Sequence, residues 1–219
     1  MFHYLRTGVS LGIILAGSAT LSPVYASLNS INLSNPETLM VQVGEKEIAQ
    51  GAENFISSMA QQGIDFLSNE SLTTDQRKES FRKLLHNNFD MKTLARFSLG
   101  RYWRTATKEQ QSEYLKLFEK MVVDVYASRF NEYHGQKFDV RGSRLENEQD
   151  IMVSSFIKGE TGEEVEVQWR VRYKDKRYLV VDVIVAGVSM AVTQRSDFAS
   201  VIQRGGGDVQ VLLAHLREQ

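Results

Sequence analysis

The sequence has no cysteine and only two prolines in 219 residues. Without cysteine there is no thiol nucleophile, no Cys-ligated zinc, no iron-sulfur cluster and no disulfide. A surplus of one charge is missing too, since 26 Lys and Arg stand against 27 Asp and Glu. Nucleic-acid binders concentrate cations on one surface, so the balance argues against nucleic acid as a partner and against a basic docking surface. With 42% hydrophobic residues the composition is that of a globular domain; a collagen, a coiled coil and a disordered tail are excluded.

Long apolar runs are equally scarce. The run Val9 to Ala19 is well short of the roughly 20 residues a membrane span needs. Arg6 precedes it and Pro23-Val24-Tyr25-Ala26 follows, the three parts of a secretory leader with cleavage expected after Ala26. No Cys follows that point, so no bacterial-type lipid anchor is expected. The expected organisation is a leader over 1–26 and a single exported domain over 27–219.

What is present divides at Gly135. Before it the period is helical: Ile48, Ala52, Phe55, Ile56 and Met59 mark one face of a helix opened by Pro36 and ended near Gly63. Thr73 or Thr74 caps a second helix with Phe81, Leu84 and Leu85 inward, and Asp90 caps a short third one stopped by Gly100. Thr107 and Gln110 form a capping box for a helix expected over 108–133, roughly 37 Å long and the longest of all. After Gly135 the period drops to two. Four strands are expected, 138–145, 151–157, 165–173 and 179–185, then two short helices, 196–203 and 208–217. Sequential strands and tight turns give an antiparallel meander, so the fold class is α+β, with helices packed on one face of a twisted four-stranded sheet.

Most catalytic templates fail. His86, His134 and His215 have no metal-ligand spacing, and there is no nucleophile elbow, Walker loop or dinucleotide fingerprint. No metal or cofactor is called for. Gly205-Gly206-Gly207 could hold an anion on free N–H groups or serve as a linker. Asp182 interrupts the run Leu179 to Val185, and alternation puts it with Tyr178, Val180 and Ile184, opposite Val181 and Val183. It reads either as a carboxylate paired with an Arg such as Arg195 or Arg170, or as a general base.

Apolar and aromatic surface is in excess. Tyr114, Leu115, Phe118, Met121, Val122, Val125, Tyr126, Phe130 and Tyr133 form a stripe on the long helix wider than a simple core-facing helix needs. Against it stands a sheet face of Val153, Trp169, Val171, Tyr173, Val181, Val183 and Val185. Helix and sheet could interlock as a solid core or leave a slot.

Two stretches carry a resemblance. Phe89-Asp90-Met91-Lys92-Thr93-Leu94-Ala95-Arg96-Phe97-Ser98-Leu99-Gly100-Arg101-Tyr102-Trp103-Arg104, followed by Ala106-Thr107-Lys108-Glu109-Gln110-Gln111, resembles the signature of the toluene-tolerance or MlaC family of periplasmic phospholipid carriers. Tyr178 to Val183, Gly187-Val188-Ser189 and Gln194 to Phe198 resemble that family's sheet end and closing helix. The likeness runs from about Pro36 to the C-terminus. It implies a non-enzymatic shuttle that maintains outer-membrane lipid asymmetry. Its partners would be phospholipid, an outer-membrane lipoprotein-porin complex and an inner-membrane ABC transporter with its substrate-binding ring.

The resemblance also implies an apolar cavity between sheet and helices for the acyl chains. Candidate lining residues are Phe97, Tyr102, Trp103, Phe118, Met121, Val122, Val125, Tyr126, Phe130, Val153, Trp169, Val171, Tyr173, Val181, Val183, Val185 and Val188, with Arg101 and Arg104 at the head group. Each methylene removed from water is worth about 0.8 kcal/mol, so two acyl chains of about thirty methylenes would cost on the order of 20 kcal/mol if left wet. A carrier must hide them and needs no catalytic residue. The rival class is a small exported enzyme on a cone-shaped α+β scaffold with Asp182 as base.

Overall fold

The computed structural model describes the backbone of residues 36–218 and the side chains of residues 44–218. The leader and its cleavage point lie outside the described residues. Among the described residues four helices come first: α1 (Pro36–Leu67), α2 (Thr74–Asn88), α3 (Met91–Leu99) and α4 (Lys108–Ala127). A 3-10 turn, Gly100–Trp103, joins α3 to α4, and a second, Phe130–Glu132, follows α4. The strands are β1 (Lys137–Leu145), β2 (Asp150–Lys158), β3 (Glu164–Lys174), β4 (Arg177–Val185) and β5 (Val188–Ser189); α5 (Met190–Arg204) and α6 (Val209–Arg217) close the chain.

The caps lie where the sequence places them. Thr73 and Gln76 form a capping box for α2, and Thr107 and Gln110 form another for α4. Asp90 accepts from the Thr93 N–H at 2.9 Å to start α3. The expected long helix ends early, at Ala127, because the chain tightens into the 3-10 turn before Gly135. It spans 20 residues, while α1 has 32 and is the longest element, roughly 48 Å.

The strands pair antiparallel in the order β1-β2-β3-β4-β5. Both tight hairpins at the β4 edge use positive-φ pairs, as two-residue turns require: Asp175 and Lys176 at 52° and 60°, then Ala186 and Gly187 at 49° and 80°. The second turn delivers β5, a fifth strand that two residues of alternation cannot reveal.

Two apolar clusters hold the molecule. One lies among α3, α4, α5 and α6 and is built around Tyr114, Phe118, Phe198, Ile202 and Leu213. Within it the Tyr114 hydroxyl donates to the Ala95 carbonyl at 2.9 Å, and burial pushes its phenol pKa far above the usual value. The other lies between α1 and the sheet, around Ala52, Ile56, Ile151, Val153, Val171 and Val180. Helix α4 packs mainly on α6, α2 and α3, so its stripe serves the helical cluster first rather than standing squarely over the strands.

Candidate functional site

Register sorts the sheet residues into rungs on one face. From one end to the other these are Phe138, Ile157 and Val165; then Val140, Ser155, Val167, Val185 and Val188; then Ser143, Val153, Trp169 and Val183; then Leu145, Ile151, Val171 and Val180; and finally Tyr173 and Tyr178. The face is apolar except for Ser143 and Ser155. Ser155 accepts from the Trp169 indole N–H at 2.9 Å and donates to the Val167 carbonyl at 2.8 Å, so neither buried polar group is stranded.

One correction follows from that register. Arg170 pairs with Asp182 and Val171 with Val180, which leaves Val181 as the extra residue of a bulge. Simple alternation set Val181 with Val183, and Asp182 with Tyr178 and Val180. The bulge reverses this: Tyr178 and Val180 join Val183 on the apolar face, and Asp182 turns to the other side with Ile184. Among the described residues its carboxylate forms no ion pair with Arg170, Arg195 or any other arginine. Its oxygens accept from the N–H groups of Val183 (2.8 Å) and Ala191 (3.1 Å) and from the Ser189 hydroxyl (2.6 Å). Ser189 in turn caps α5 by accepting from Val192 at 3.1 Å, so this buried carboxylate fixes the junction of β4, β5 and α5.

Burial changes steeply along the apolar face. Ile151, Val171 and Val180 are fully enclosed beneath α1, each worth about 1.5 to 3 kcal/mol. Trp169, Tyr173, Val183 and Val185 are half-buried. At the far end Ile157, Val165 and Val188 are 37%, 40% and 53% exposed, so helices seal one end of the face and leave the other open.

The remaining candidates divide between a filled core and the surface. Tyr102, Phe118 and Met121 are buried in the helical cluster, with Trp103 and Val122 packed at its edge. Phe97, Val125 and Tyr126 are exposed. Phe130 meets Phe66 at 5.9 Å and Phe81 at 5.5 Å, and Phe81 meets Tyr126 at 6.3 Å. This aromatic group ties α1, α2 and the end of α4, and through Phe66 it reaches the sheet-side cluster. Arg101 lies over the Tyr102 ring at 4.9 Å and donates to its hydroxyl at 2.9 Å, while Arg104 is exposed beside it. Recesses of about 370 and 420 Å³ lie between α1 and α2 and between α3 and α4; Phe66 and Leu84 of the sheet-side cluster line part of the first, and the second shares no residue with the sheet.

Sequence reading left out Phe138, Val140, Ile157, Val165 and Val167, though their alternation with polar neighbours marked them. Phe66 is absent from it as well, and Phe81 stands there as an inward residue of its helix without Tyr126 and Phe130, the partners that lie far along the chain. Two polar features frame the face. Arg172 donates twice to Asp150, at 2.7 and 2.9 Å, and holds that carboxyl below its usual range. Burial, with Tyr173 beside it, pushes the Tyr178 phenol up.

These features define an α+β protein in which a helical bundle and one long helix flank a meander sheet with a half-covered apolar face. The chain belongs to the MlaC protein family, whose model matches residues 57–218. It is 27% identical over 109 residues to a toluene tolerance protein, ttg2D, of Pseudomonas putida, covering 50% of this chain and 51% of that one. It is 24% identical over 122 residues to the intermembrane phospholipid transport system binding protein MlaC of Haemophilus influenzae, covering 52% and 55%. The chain thus spans about half the length of the curated relatives it matches. A phospholipid-binding protein from Ralstonia solanacearum, solved with a phospholipid, shares the fold at a TM-score of 0.67 and 23% identity, over 76% of this chain and 95% of that one.

Proposed function

We propose that the protein is a phospholipid carrier. The observation that carries this reading is the half-covered face: a sheet closed by α1 at the Ile151–Val171–Val180 rung and open at Ile157, Val165 and Val188. An exposed apolar strip beside a sealed core suits acyl chains, which have no polar group for the protein to satisfy and are worth about 0.8 kcal/mol per buried methylene. The chains would lie along Trp169, Val183, Val185 and Val188 and reach towards Val125, Tyr126 and Phe130. Arg101 and Arg104 are the proposed head-group contacts.

The names of the relatives support the wider reading. The protein would be exported to the periplasm after removal of residues 1–26. It would pass phospholipid between an outer-membrane lipoprotein-porin complex and an inner-membrane ABC transporter with its substrate-binding ring. A bilayer hides acyl chains as well as a carrier does, so transfer is near-neutral and its direction comes from those partners. Against the enzymatic alternative stands the engagement of both oxygens of Asp182 in the β4–α5 junction.

The test is lipid extraction from the purified protein, followed by mass spectrometry and by transfer between donor and acceptor vesicles. Co-purified phospholipid that moves to acceptor vesicles is expected. Protein that carries none and takes up none from vesicles would sink the reading.

A further inference from the structure

The near-neutral total charge conceals a local imbalance. Between Asp90 and Glu109 the chain carries Lys92, Arg96, Arg101, Arg104 and Lys108 and no carboxylate. The segment forms α3, the first 3-10 turn and the start of α4, and all five cations are exposed. Among the described residues none of the five takes part in an ion pair. Their contacts are with rings instead: Arg96 lies over Trp103 at 5.4 Å and Arg101 over Tyr102 at 4.9 Å. Of the flanking carboxylates, Asp90 is engaged by the N–H and hydroxyl of Thr93.

Three of these cations, Lys92, Arg96 and Lys108, surround the recess of about 420 Å³ between α3 and α4, with Trp103, Gln111 and Leu115 in its wall. Gln111 donates to the Trp103 carbonyl at 2.7 Å and fixes the turn that presents the indole. Next to Arg96, the exposed Phe97 ring has the Arg195 guanidinium 5.2 Å from its centre.

We propose that this shoulder is a docking surface for an anionic phospholipid bilayer. Lys92, Arg96 and Lys108 would take lipid phosphates, and Trp103 would lie at head-group depth. Charge complementarity carries the choice: unpaired cations on long flexible stems, around an amphipathic indole, suit a fluid array of phosphates in which no fixed geometry has to be matched. Arg101 and Arg104 stay with the proposed head-group site, and the recess of Lys92, Arg96 and Lys108 shares no residue with the open end of the sheet, so docking and lipid binding can fail independently.

The test is flotation of the purified protein with vesicles of phosphatidylcholine alone and of phosphatidylcholine and phosphatidylglycerol in equal parts. The protein should float with the anionic vesicles only, and less so as salt is raised. Each cation near an anionic surface is worth about a five-fold change in partition, so Lys92→Gln/Arg96→Gln/Lys108→Gln should lose on the order of a hundred-fold. The double variant Lys92→Gln/Lys108→Gln leaves the Arg96–Trp103 stack in place and should lose roughly 25-fold. A control, Lys137→Gln/Lys174→Gln/Arg177→Gln, removes three exposed cations elsewhere and should float as the wild type does.

Equal binding to both vesicle types, or an equal loss in the control, would overturn the proposal. So would saturable binding of polyglutamate by a wild type that floats with neither vesicle, which would mark an acidic protein partner. Co-purified phospholipid, measured on the same variants, separates the two readings. Lipid retained without docking leaves the carrier intact, and lipid lost together with docking assigns these cations to the ligand site and overturns a separate surface.

Discussion

The Tyr178 hydroxyl closes over Gly51, where it donates to the Ile48 carbonyl at 3.1 Å. Its ring stacks with Phe55 at 5.9 Å and lies 4.7 Å from Tyr173. A Cβ at position 51 would collide with that hydroxyl, so the absent side chain lets α1 lie against the last rung of the sheet.

Gly51→Ala therefore sets two effects against each other. Alanine gains up to about 1 kcal/mol of helix propensity. To accommodate it, Tyr178 must leave Ile48 and its ring partners or α1 must lift, and overpacking of this kind costs about 1 to 3 kcal/mol. A net loss of stability is expected in denaturant melts, and Tyr178→Phe in the same chain should recover part of it. A more stable Gly51→Ala protein would show that helix and sheet are not this close.

Asp182 should behave as a structural anchor. Asp182→Asn keeps an acceptor for the Val183 and Ala191 N–H groups, and Ser189 can turn its hydroxyl, so a loss of about 1 kcal/mol is expected. Asp182→Ala strands those donors, at about 1 to 3 kcal/mol for each that stays buried. Lipid content per folded molecule should stay unchanged in both. Wild-type stability together with lost function would return Asp182 to the list of active groups.

Much of this architecture is legible in the residues and some of it is not. Caps at Thr73, Asp90 and Thr107 announce themselves because a side-chain acceptor at a fixed offset is a local requirement. The alternation of β3 is equally local. The bulge at Val181 is not, since it depends on how β4 pairs with β3, and a shift of one residue changed the side on which Asp182 lies. The gradient from enclosed Val171 to exposed Val165 is invisible for a related reason. Both are valines on one face of one strand, and only the placement of α1 distinguishes them.

The Asp150–Arg172 pair should make stability depend on acid. Arg172 holds the Asp150 carboxyl below its usual range, so the folded protein binds that proton less readily than the unfolded chain does. The stabilisation is complete above the unfolded carboxylate value near about 4 and is lost as pH falls through the lower folded value. Arg172→Ala leaves a buried carboxylate without its partner. It should cost about 2 to 3 kcal/mol at neutral pH, below the range for a fully enclosed pair because the Arg172 side chain is 33% exposed. The variant should also lose this pair's share of the acid dependence, so that its stability falls less steeply than the wild type's below about pH 4; an unchanged slope would remove the pair as a contributor.

The sharpest comparison sets two valines of β3 against each other. Val171 is fully buried under Ala52 and Ile56, while Val165 is 40% exposed at the open end. Val171→Trp must force α1 outward or distort the rung it shares with Ile151 and Val180, and it should destabilise by about 1 to 3 kcal/mol. Val165→Trp enters open space and should melt within about 0.5 kcal/mol of the wild type. If acyl chains occupy the open end, the added indole competes for the same volume, so Val165→Trp should fold normally and co-purify with less phospholipid. Val165→Arg should lower lipid content further, because a cation in an apolar acyl-chain site must be desolvated. A Val165→Trp protein as lipid-loaded as the wild type would place the chains elsewhere, and a Val171→Trp protein of undiminished stability would show that α1 does not seal the sheet.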